Sequence, residues 1–179
     1  MKRFLLTIPT LLGTEQIVAN EVRRLGYETS EVKDGSVTFE GDAEAVCLAN
    51  INLRAAERVM IKIAEFKVTT FDELFEKVKK IKWENIIEKD AAFPVKGHSL
   101  RSVLHSVPDC QAIIKKAIVT ELSEHYGISH FEETGPLYPI QFALMKDIIT
   151  LYIDTSGENL YKRGYREKSV LAPMRETLA

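Results

Sequence analysis

Along the first 66 residues the spacing between apolar positions switches repeatedly from two residues to about 3.6, the spacings of half-buried strands and amphipathic helices respectively. Ile17, Val18, Val22 and Leu25 recur at helical spacing, and Gly26 follows where helices commonly end. The pattern predicts strands at 3–8, 27–33, 36–40 and 58–64, with helices at 14–25 and 42–52.

These elements follow one another in the order β-α-β-β-α-β. Asp34-Gly35, between the second and third strands, is a strong hairpin signal because both residue types tolerate the backbone angles of a two-residue turn. The order is the split βαβ arrangement of ferredoxin-like folds. We therefore predict a ferredoxin-like domain at residues 1–66.

The chain after Phe66 predicts a second unit of mixed structure. Thr70-x-x-Glu73 is a capping box, and Pro108 opens a long helix that Gly127 follows. Alternating apolar positions predict a strand at 92–96 and an antiparallel hairpin of 138–144 and 149–153, whereas 97–106 is polar and lacks a clear period. Helices and strands mixed in this way indicate an α+β fold.

Composition excludes few partners. The 24 Lys and Arg residues are balanced by 26 Asp and Glu residues, so the net charge gives no sign of nucleic-acid binding. No apolar run approaches the ~20 residues of a membrane span. Cys47 and Cys110 are far apart among apolar residues of helical segments, which predicts two buried free thiols and suits a reducing cytoplasm.

Catalytic and metal-binding signatures are missing from the sequence. All nine glycines are isolated, so no G-x-G turn can bring the backbone close to a phosphate or an adenosyl cofactor. The four histidines, His98, His105, His125 and His130, form no i, i+4 pair. We predict neither a catalytic residue nor a metal site in this chain.

Local charge indicates a polyanion more clearly than net charge does. Between residues 91 and 120, four basic residues face only one acid, Asp109. The stretch from Gly97 to Ser106 adds serines and histidines, and it leads into a helix whose first N–H groups are free to bind an anion. The alternative, an ordinary solvated loop before a helix, is favoured if charge alone is considered. The basic residues are Lys96, Arg101, Lys115 and Lys116.

A second basic cluster lies near the end of the chain. Lys162, Arg163, Arg166 and Lys168 are opposed only by Glu167, and two tyrosines are interleaved with them. These tyrosines could stack on bases. The cluster could equally be a junction whose arginines pair with carboxylates of another domain, and this interpretation is slightly favoured.

Several motifs, in their order and spacing, resemble the THUMP-containing RNA methyltransferases that modify the N2 atom of guanosine. The resemblance covers nearly the whole chain and is most specific near its end. The segments that carry it are Leu53-Arg54-Ala55-Ala56-Glu57-Arg58, Trp83, Phe93-Pro94-Val95, Gln111, Lys115-Lys116-Ala117, Asp154-Thr155-Ser156-Gly157, Leu160 to Arg166 and Ala172 to Ala179.

The resemblance implies that a THUMP RNA-binding domain occupies residues 67–165 and that 166–179 are a linker and the start of a methyltransferase domain. That Rossmann-like domain, with its S-adenosylmethionine and its Asn-Pro-Pro-Tyr type motif, is expected outside this chain. The chain would then be a cytoplasmic RNA-binding arm that holds structured rRNA or tRNA for N2-methylation of guanosine. The expected RNA-binding residues are Lys96, His98, Ser99, Arg101, His105, Lys115, Lys116, Lys162, Arg163 and Arg166.

Two other functions fit the same elements. A ferredoxin-like unit can serve as a regulatory or protein-interaction module, since fold alone does not decide function. A THUMP arm can also belong to another RNA-modifying enzyme such as a thiouridine synthetase. The Lys162-Arg163-Gly164-Tyr165-Arg166 segment resembles the methyltransferase junction and speaks against the synthetase.

Overall fold

The computed structural model describes residues 3–128 and 130–162, and these form two compact units. Of the described residues, the first unit contains 3–62 and 154–162, and the second contains those between Ile63 and Ile153. The strands are β1 (Phe4–Pro9), β2 (Thr29–Lys33), β3 (Ser36–Gly41), β4 (Met60–Lys67), β5 (Val95–Leu100), β6 (Ile140–Met145) and β7 (Ile148–Asp154). The helices are α1 (Glu15–Arg24), α2 (Ala43–Asn52), α3 (Phe71–Lys79) and α4 (Val107–Tyr126), with a 3-10 turn at Trp83–Asn85.

The first unit confirms the predicted β-α-β-β-α-β order. Its strands lie in the order β2-β3-β1-β4, and every pair is antiparallel. Gly41, where β3 ends, allows α2 to approach closely, because a Cβ there would lie 2.3 Å from the Cβ of Ala45. Apolar residues of β1, β3, α1 and α2 form the core, among them Leu6, Ile8, Val18, Val22, Val37, Phe39, Ala49 and Leu53.

The chain returns to the first unit at Asp154. The Arg58 guanidinium forms an ion pair with the buried Asp154 carboxylate and donates to the Gly157 carbonyl oxygen at 2.7 Å. The Thr155 N–H donates to the Val59 carbonyl oxygen at 3.0 Å. The second unit is therefore an insertion in the chain of the first. The predicted domain ranges 1–66, 67–165 and 166–179 are consecutive stretches of sequence and do not include this insertion. They stay a prediction.

The second unit orders its strands β4-β7-β6-β5, with β7 antiparallel and β5 parallel to β6. Helix α4 covers one face of this sheet, and Phe142 and Leu144 of β6 are buried in the same core as Ile114 and Ile118 of α4. Trp83, the sole tryptophan, is fully buried there and donates from Nε1 to the Val78 carbonyl oxygen at 2.9 Å. The α+β fold is confirmed.

Strand β5 is longer than predicted. The polar stretch from Gly97 to Leu100 continues the strand, because β5 pairs with β6 from Val95↔Ile140 to Leu100↔Met145. A Cβ on Gly97 would lie 2.2 Å from the carbonyl oxygen and 2.4 Å from the ring of Phe142. Only glycine fits this contact. Because glycine has no side chain, the strand lacks an apolar side chain at this position, and the alternation of apolar and polar residues that would have predicted the strand is interrupted.

The two cysteines differ in burial, whereas the sequence analysis predicted that both are buried. Cys110 is buried in the core of the second unit, and burial raises the pKa of its thiol. Cys47 is exposed on α2, so the prediction of a buried thiol was wrong there. The apolar neighbours of Cys47 in the sequence are themselves partly exposed, which explains the error.

Two carboxyl groups share a hydrogen bond beside Trp83. Partial burial and the hydrogen bond with Glu84 raise the pKa of Glu121 from its ordinary 4.5 to about 7. The same hydrogen bond lowers the pKa of Glu84. The opposite directions indicate that Glu121 holds the proton of the pair.

We expect Gly97→Ala to lower the free energy of unfolding by at least about 1–3 kcal/mol, because β5 must move away from Phe142 or distort. Urea unfolding followed by the fluorescence of buried Trp83 measures this loss. The matched control is Lys96→Ala, next along the strand and exposed, for which we expect a change within about 0.5 kcal/mol. Equal stability of the two variants would contradict the contact.

Glu121 makes stability depend on pH. Between about 4.5, where Glu121 ionises in the unfolded chain, and about 7, where it ionises in the folded chain, the folded state binds more protons. The free energy of unfolding therefore falls as pH rises through this window, whereas the lowered pKa of Glu84 acts below it. Glu121→Gln abolishes this decline, so its melting temperature relative to the original chain should rise between about pH 5 and pH 8.

Thermal melts at intervals of one pH unit check this expectation. Glu132→Gln, an exposed carboxylate of the same unit, is the control and should give a melting curve parallel to that of the original chain. Parallel curves for Glu121→Gln as well would show that the Glu84–Glu121 pair does not hold a proton near neutral pH.

Candidate nucleic-acid interface

The side of the second unit's sheet that faces away from α4, here called the outer face, carries the first predicted RNA-binding residues. Along β5, Gly97 lies against Phe142 on the core side, so its neighbours Lys96 and His98 project from the outer face. Both side chains are exposed. No ion pair joins Lys96 to a carboxylate among residues 3–128 and 130–162, so its charge is available to a ligand.

A short loop after β5 is held by the β6–β7 turn. Asp147 accepts through Oδ1 from the Val103 N–H at 2.8 Å, and its own N–H donates to Ser102 Oγ at 3.0 Å. The Lys146 N–H donates to the Leu100 carbonyl oxygen at 3.2 Å. Arg101, at the start of the loop, is exposed and has a positive φ of 52°. The loop thus presents Arg101 from a fixed backbone.

The serine hydroxyls of this region serve the loop itself. Ser99 Oγ donates to the Leu104 carbonyl oxygen at 2.7 Å, and Ser102 Oγ donates to the Leu100 carbonyl oxygen at 3.1 Å. Ser106, at the N-cap of α4, makes no capping hydrogen bond with its side chain. Ser99 therefore shapes the surface, and its role as a phosphate donor stays a prediction that would require it to exchange partners.

His105 precedes the first turn of α4, and its ring Nδ1 lies 3.1 Å from the Val103 carbonyl oxygen. The ring is exposed. Asp109 lies in the first turn of the helix, where its negative charge opposes the binding of an anion. The helix start is consequently a weaker anion site than the sequence pattern suggested.

Lys115 is already paired inside the chain. Its ammonium forms an ion pair with Glu133, donates to the Phe93 carbonyl oxygen at 3.2 Å and lies 3.6 Å from the centroid of the Phe93 ring. Glu133 is 18 positions away, beyond the reach of local sequence patterns. Lys115 is therefore the weakest of the predicted RNA contacts.

Of the remaining predicted residues, only Lys116 can be placed relative to Lys96 and His98. Lys116 is exposed on α4, on the covered side of the sheet, with its ammonium 5.8 Å from the centroid of the Phe75 ring. Lys162 is exposed and belongs to the first unit. Arg163 and Arg166 lie outside the described residues. The structure thus brings Lys96, His98 and Arg101 together along the edge strand β5 and its loop, and it separates Lys116 from them.

Lys146 is a basic residue of this surface that the sequence analysis missed. It is exposed in the β6–β7 turn, and its backbone contacts the end of β5 next to Arg101. The sequence identified the turn but not its neighbour, because the parallel pairing of β5 with β6 carries no local signal. Lys146 completes a group that we call the basic edge: Lys96, His98, Arg101 and Lys146.

An exposed apolar row accompanies the basic edge. Leu100, Met145 and Ile148 are directly paired across β5, β6 and β7, and 53%, 48% and 46% of their surfaces are exposed. Apolar surface between cations can contact bases and sugars while the cations bind phosphates. The arrangement suits a flexible polyanion better than a small metabolite.

Other kinds of site find no support in the described part of the chain. Residues 3–128 and 130–162 contain no group of three His, Cys, Asp or Glu side chains arranged to hold a metal ion. Within the same ranges, no helix has both the length and the apolar character needed to cross a membrane.

Comparison with family models assigns both units. The RlmL ferredoxin-like domain model matches residues 5–60, and the THUMP domain model matches residues 68–154. Together the two models cover both units and the basic edge.

Curated relatives align with this chain over both units and are longer than it. YpsC of Bacillus subtilis, named as a candidate RNA methyltransferase, is 49% identical over 100% of this chain, which spans 47% of YpsC. The ribosomal RNA large subunit methyltransferase K/L of Psychromonas ingrahamii is 32% identical over 96% of this chain, which spans 23% of that protein. The chain thus spans less than half the length of these relatives.

Solved structures agree in fold. A predicted N6-adenine-specific DNA methylase from Listeria monocytogenes matches 99% of this chain with a TM-score of 0.93 and 51% identity, and the match spans 47% of that protein. SMU.472, a candidate methyltransferase crystallised with SAH, matches 99% of this chain with a TM-score of 0.92 and 38% identity. The chain therefore belongs to the THUMP-containing RNA methyltransferase family, of which it carries the ferredoxin-like and THUMP domains.

Proposed function

We propose that this chain is the RNA-binding arm of an S-adenosylmethionine-dependent RNA methyltransferase that forms N2-methylguanosine. The observation that carries the proposal is the pairing of an RlmL-type ferredoxin-like domain with a THUMP domain that exposes the cations of the basic edge. The arm would capture the RNA, and the part of the relatives that this chain does not span would perform the chemistry.

Ribosomal RNA is the substrate that we favour over tRNA. The Psychromonas ingrahamii relative is named a large-subunit rRNA methyltransferase and aligns with 96% of this chain. Three of the four residues of the basic edge are Lys or Arg, and His98 is its one ring, so it suits phosphates and shape rather than base edges. A-form helices are recognised mainly in that way. We therefore expect low sequence specificity for the isolated arm.

The cofactor belongs to the part of the protein outside this chain. S-adenosylmethionine needs a close backbone approach, and every glycine of this chain is isolated. The SAH-bound structure of SMU.472 is about twice as long as the segment matched here, which is 47% of it. Since the chain's own residues do not fit the cofactor, their contribution is to bind and orient RNA. Such an enzyme would act in the cytoplasm, together with ribosome assembly.

DNA is the second candidate substrate, because the Listeria monocytogenes relative is described as a predicted DNA methylase. The THUMP domain and the two RNA methyltransferase relatives favour RNA over DNA. A DNA duplex of the same sequence as the RNA hairpin decides between them in the binding experiment.

We expect Lys96→Ala and Arg101→Ala each to weaken RNA binding and to reduce the slope of log affinity against log salt by roughly 0.7–0.9, the value for one lost phosphate contact. The measurement is a fluorescence titration of the chain with rRNA hairpins and with tRNA across a salt series. Lys80→Ala, an exposed lysine at the end of α3, is the control and should leave affinity and slope unchanged.

Lys115→Ala provides an internal comparison. Because Lys115 is paired with Glu133, this change should lower the melting temperature while leaving the salt slope unaltered. If Lys96→Ala and Arg101→Ala behave like Lys80→Ala, the basic edge is not the RNA surface. If the DNA duplex binds as tightly as the RNA hairpin, the assignment of an RNA-specific arm is wrong.

We expect no binding of S-adenosylmethionine by the 179-residue chain in isothermal calorimetry, because it lacks the glycine-rich turn that such a pocket needs. A homologous full-length methyltransferase, measured in the same buffer, serves as the positive control. Saturable binding by this chain in the micromolar range would contradict the division of labour proposed above.

A further inference from the structure

The outward side of α2 carries an apolar row, with the exposed polar residues Glu44 and Asn52 beside it. Over its ten residues this helix has one charged side chain, Glu44, whereas the ten residues of α1 include four and the nine of α3 include five. A helix on the surface of a protein normally turns charged and polar side chains to water, so an exposed apolar row on a helix with so little charge is unusual. The composition of α2 therefore indicates a partner.

The exposed row of α2 consists of Ala43, Cys47 and Ile51. These residues are four positions apart and so lie on one line along the helix. All three are exposed, with 69% of the Ile51 surface accessible. The opposite side of the helix is anchored in the core by Ala45 and Ala49. The outward row therefore lies on the side of α2 that is not packed in the core.

The chain passes the end of this row as it leaves the described part of the molecule. Asn50, which directly precedes Ile51, donates from Nδ2 to Thr155 Oγ1 at 3.0 Å and accepts at Oδ1 from Ser156 Oγ at 2.7 Å. The buried Arg58–Asp154 ion pair fixes the same turn, and Leu160 packs against the core of the first unit. Any domain attached after Lys162 starts from the same unit as α2.

The relatives of this chain are longer than the chain itself. The Bacillus subtilis and Listeria monocytogenes proteins align with essentially all of this chain, yet the chain is only 47% of each. A domain tethered at this turn has a high effective concentration at a neighbouring face, so a modest apolar contact suffices to hold it.

We infer that the Ala43–Cys47–Ile51 row is the docking surface for the methyltransferase half of the full-length protein. The inference rests on the proposed function, since it supposes that such a half is attached. The row would fix the catalytic half to the first unit, while the basic edge of the second unit holds the RNA. The occupant is a protein domain with a complementary apolar patch, not nucleic acid, because cations are absent from the row.

The two cysteines of the chain provide the test. Cys47 lies in the row and is exposed, whereas Cys110 is buried and serves as the internal control. Maleimide labelling with mass spectrometry of the two cysteine peptides gives the reaction rate at each position. In the 179-residue chain Cys47 should react fast and Cys110 slowly. In the full-length protein the rate at Cys47 should fall by at least about tenfold, which corresponds to a face covered about nine-tenths of the time.

Ile51→Lys extends the test. In the full-length protein this variant should restore fast labelling of Cys47 and lower methylation, yet leave RNA affinity unchanged. The matched control is Leu12→Lys, an apolar residue of the same unit that is 78% exposed and lies outside α2. It should leave labelling and methylation as in the original protein.

Three outcomes would overturn the inference: equal Cys47 rates in the short and full-length chains, protection of Cys47 in the short chain together with a dimeric mass, or protection that requires RNA. The second would assign the row to another copy of the chain, and the third to the nucleic acid. Failure of the RNA titration with Cys47 still protected would instead refute the proposed function and leave the docking surface standing.

Discussion

The contact between the backbone of Gly97 and the ring of Phe142 determines which side chains of β5 are exposed on the second unit. Because side chains alternate along a strand, fixing Gly97 toward the core fixes Lys96 and His98 toward the outside. A shift of one residue would bury a lysine and expose the position that meets Phe142. The basic edge is therefore a consequence of core packing on the other side of the sheet.

The first unit depends on a contact between distant parts of the chain. Arg58 and Asp154 are 96 positions apart, and the whole second unit lies between them in sequence. The Asp154 carboxylate is buried and needs the guanidinium, since an unpaired charge in such a place is strongly destabilising. Contacts of this separation form slowly, because the intervening chain must be closed into a loop first.

Sequence periodicity was sufficient where an element makes its own local signal. The hairpins at Asp34-Gly35 and Lys146-Asp147, the cap at Thr70 and the end of α4 at Gly127 all lie where predicted. Three properties could not be read in this way. The parallel partner of β5, the carboxylate beside Lys115 and the exposure of Cys47 all depend on residues far away in sequence. The charge pattern located the basic region but could not separate the available Lys96 from the paired Lys115.

The β6–β7 turn has two tasks: it reverses the direction of the chain, and it holds the loop after β5 in place. Lys146 and Asp147 both have positive φ, 51° and 65°, which aspartate tolerates but which is uncommon for lysine. Asn-Gly would adopt these angles with less strain, but it would lack the carboxylate that receives the Val103 N–H. The turn thus keeps a strained backbone so that Asp147 can hold the neighbouring loop in place. A chain selected only for thermal stability would therefore favour Asn-Gly at this turn. Its stability would be higher, and its affinity for the ligand would be lower.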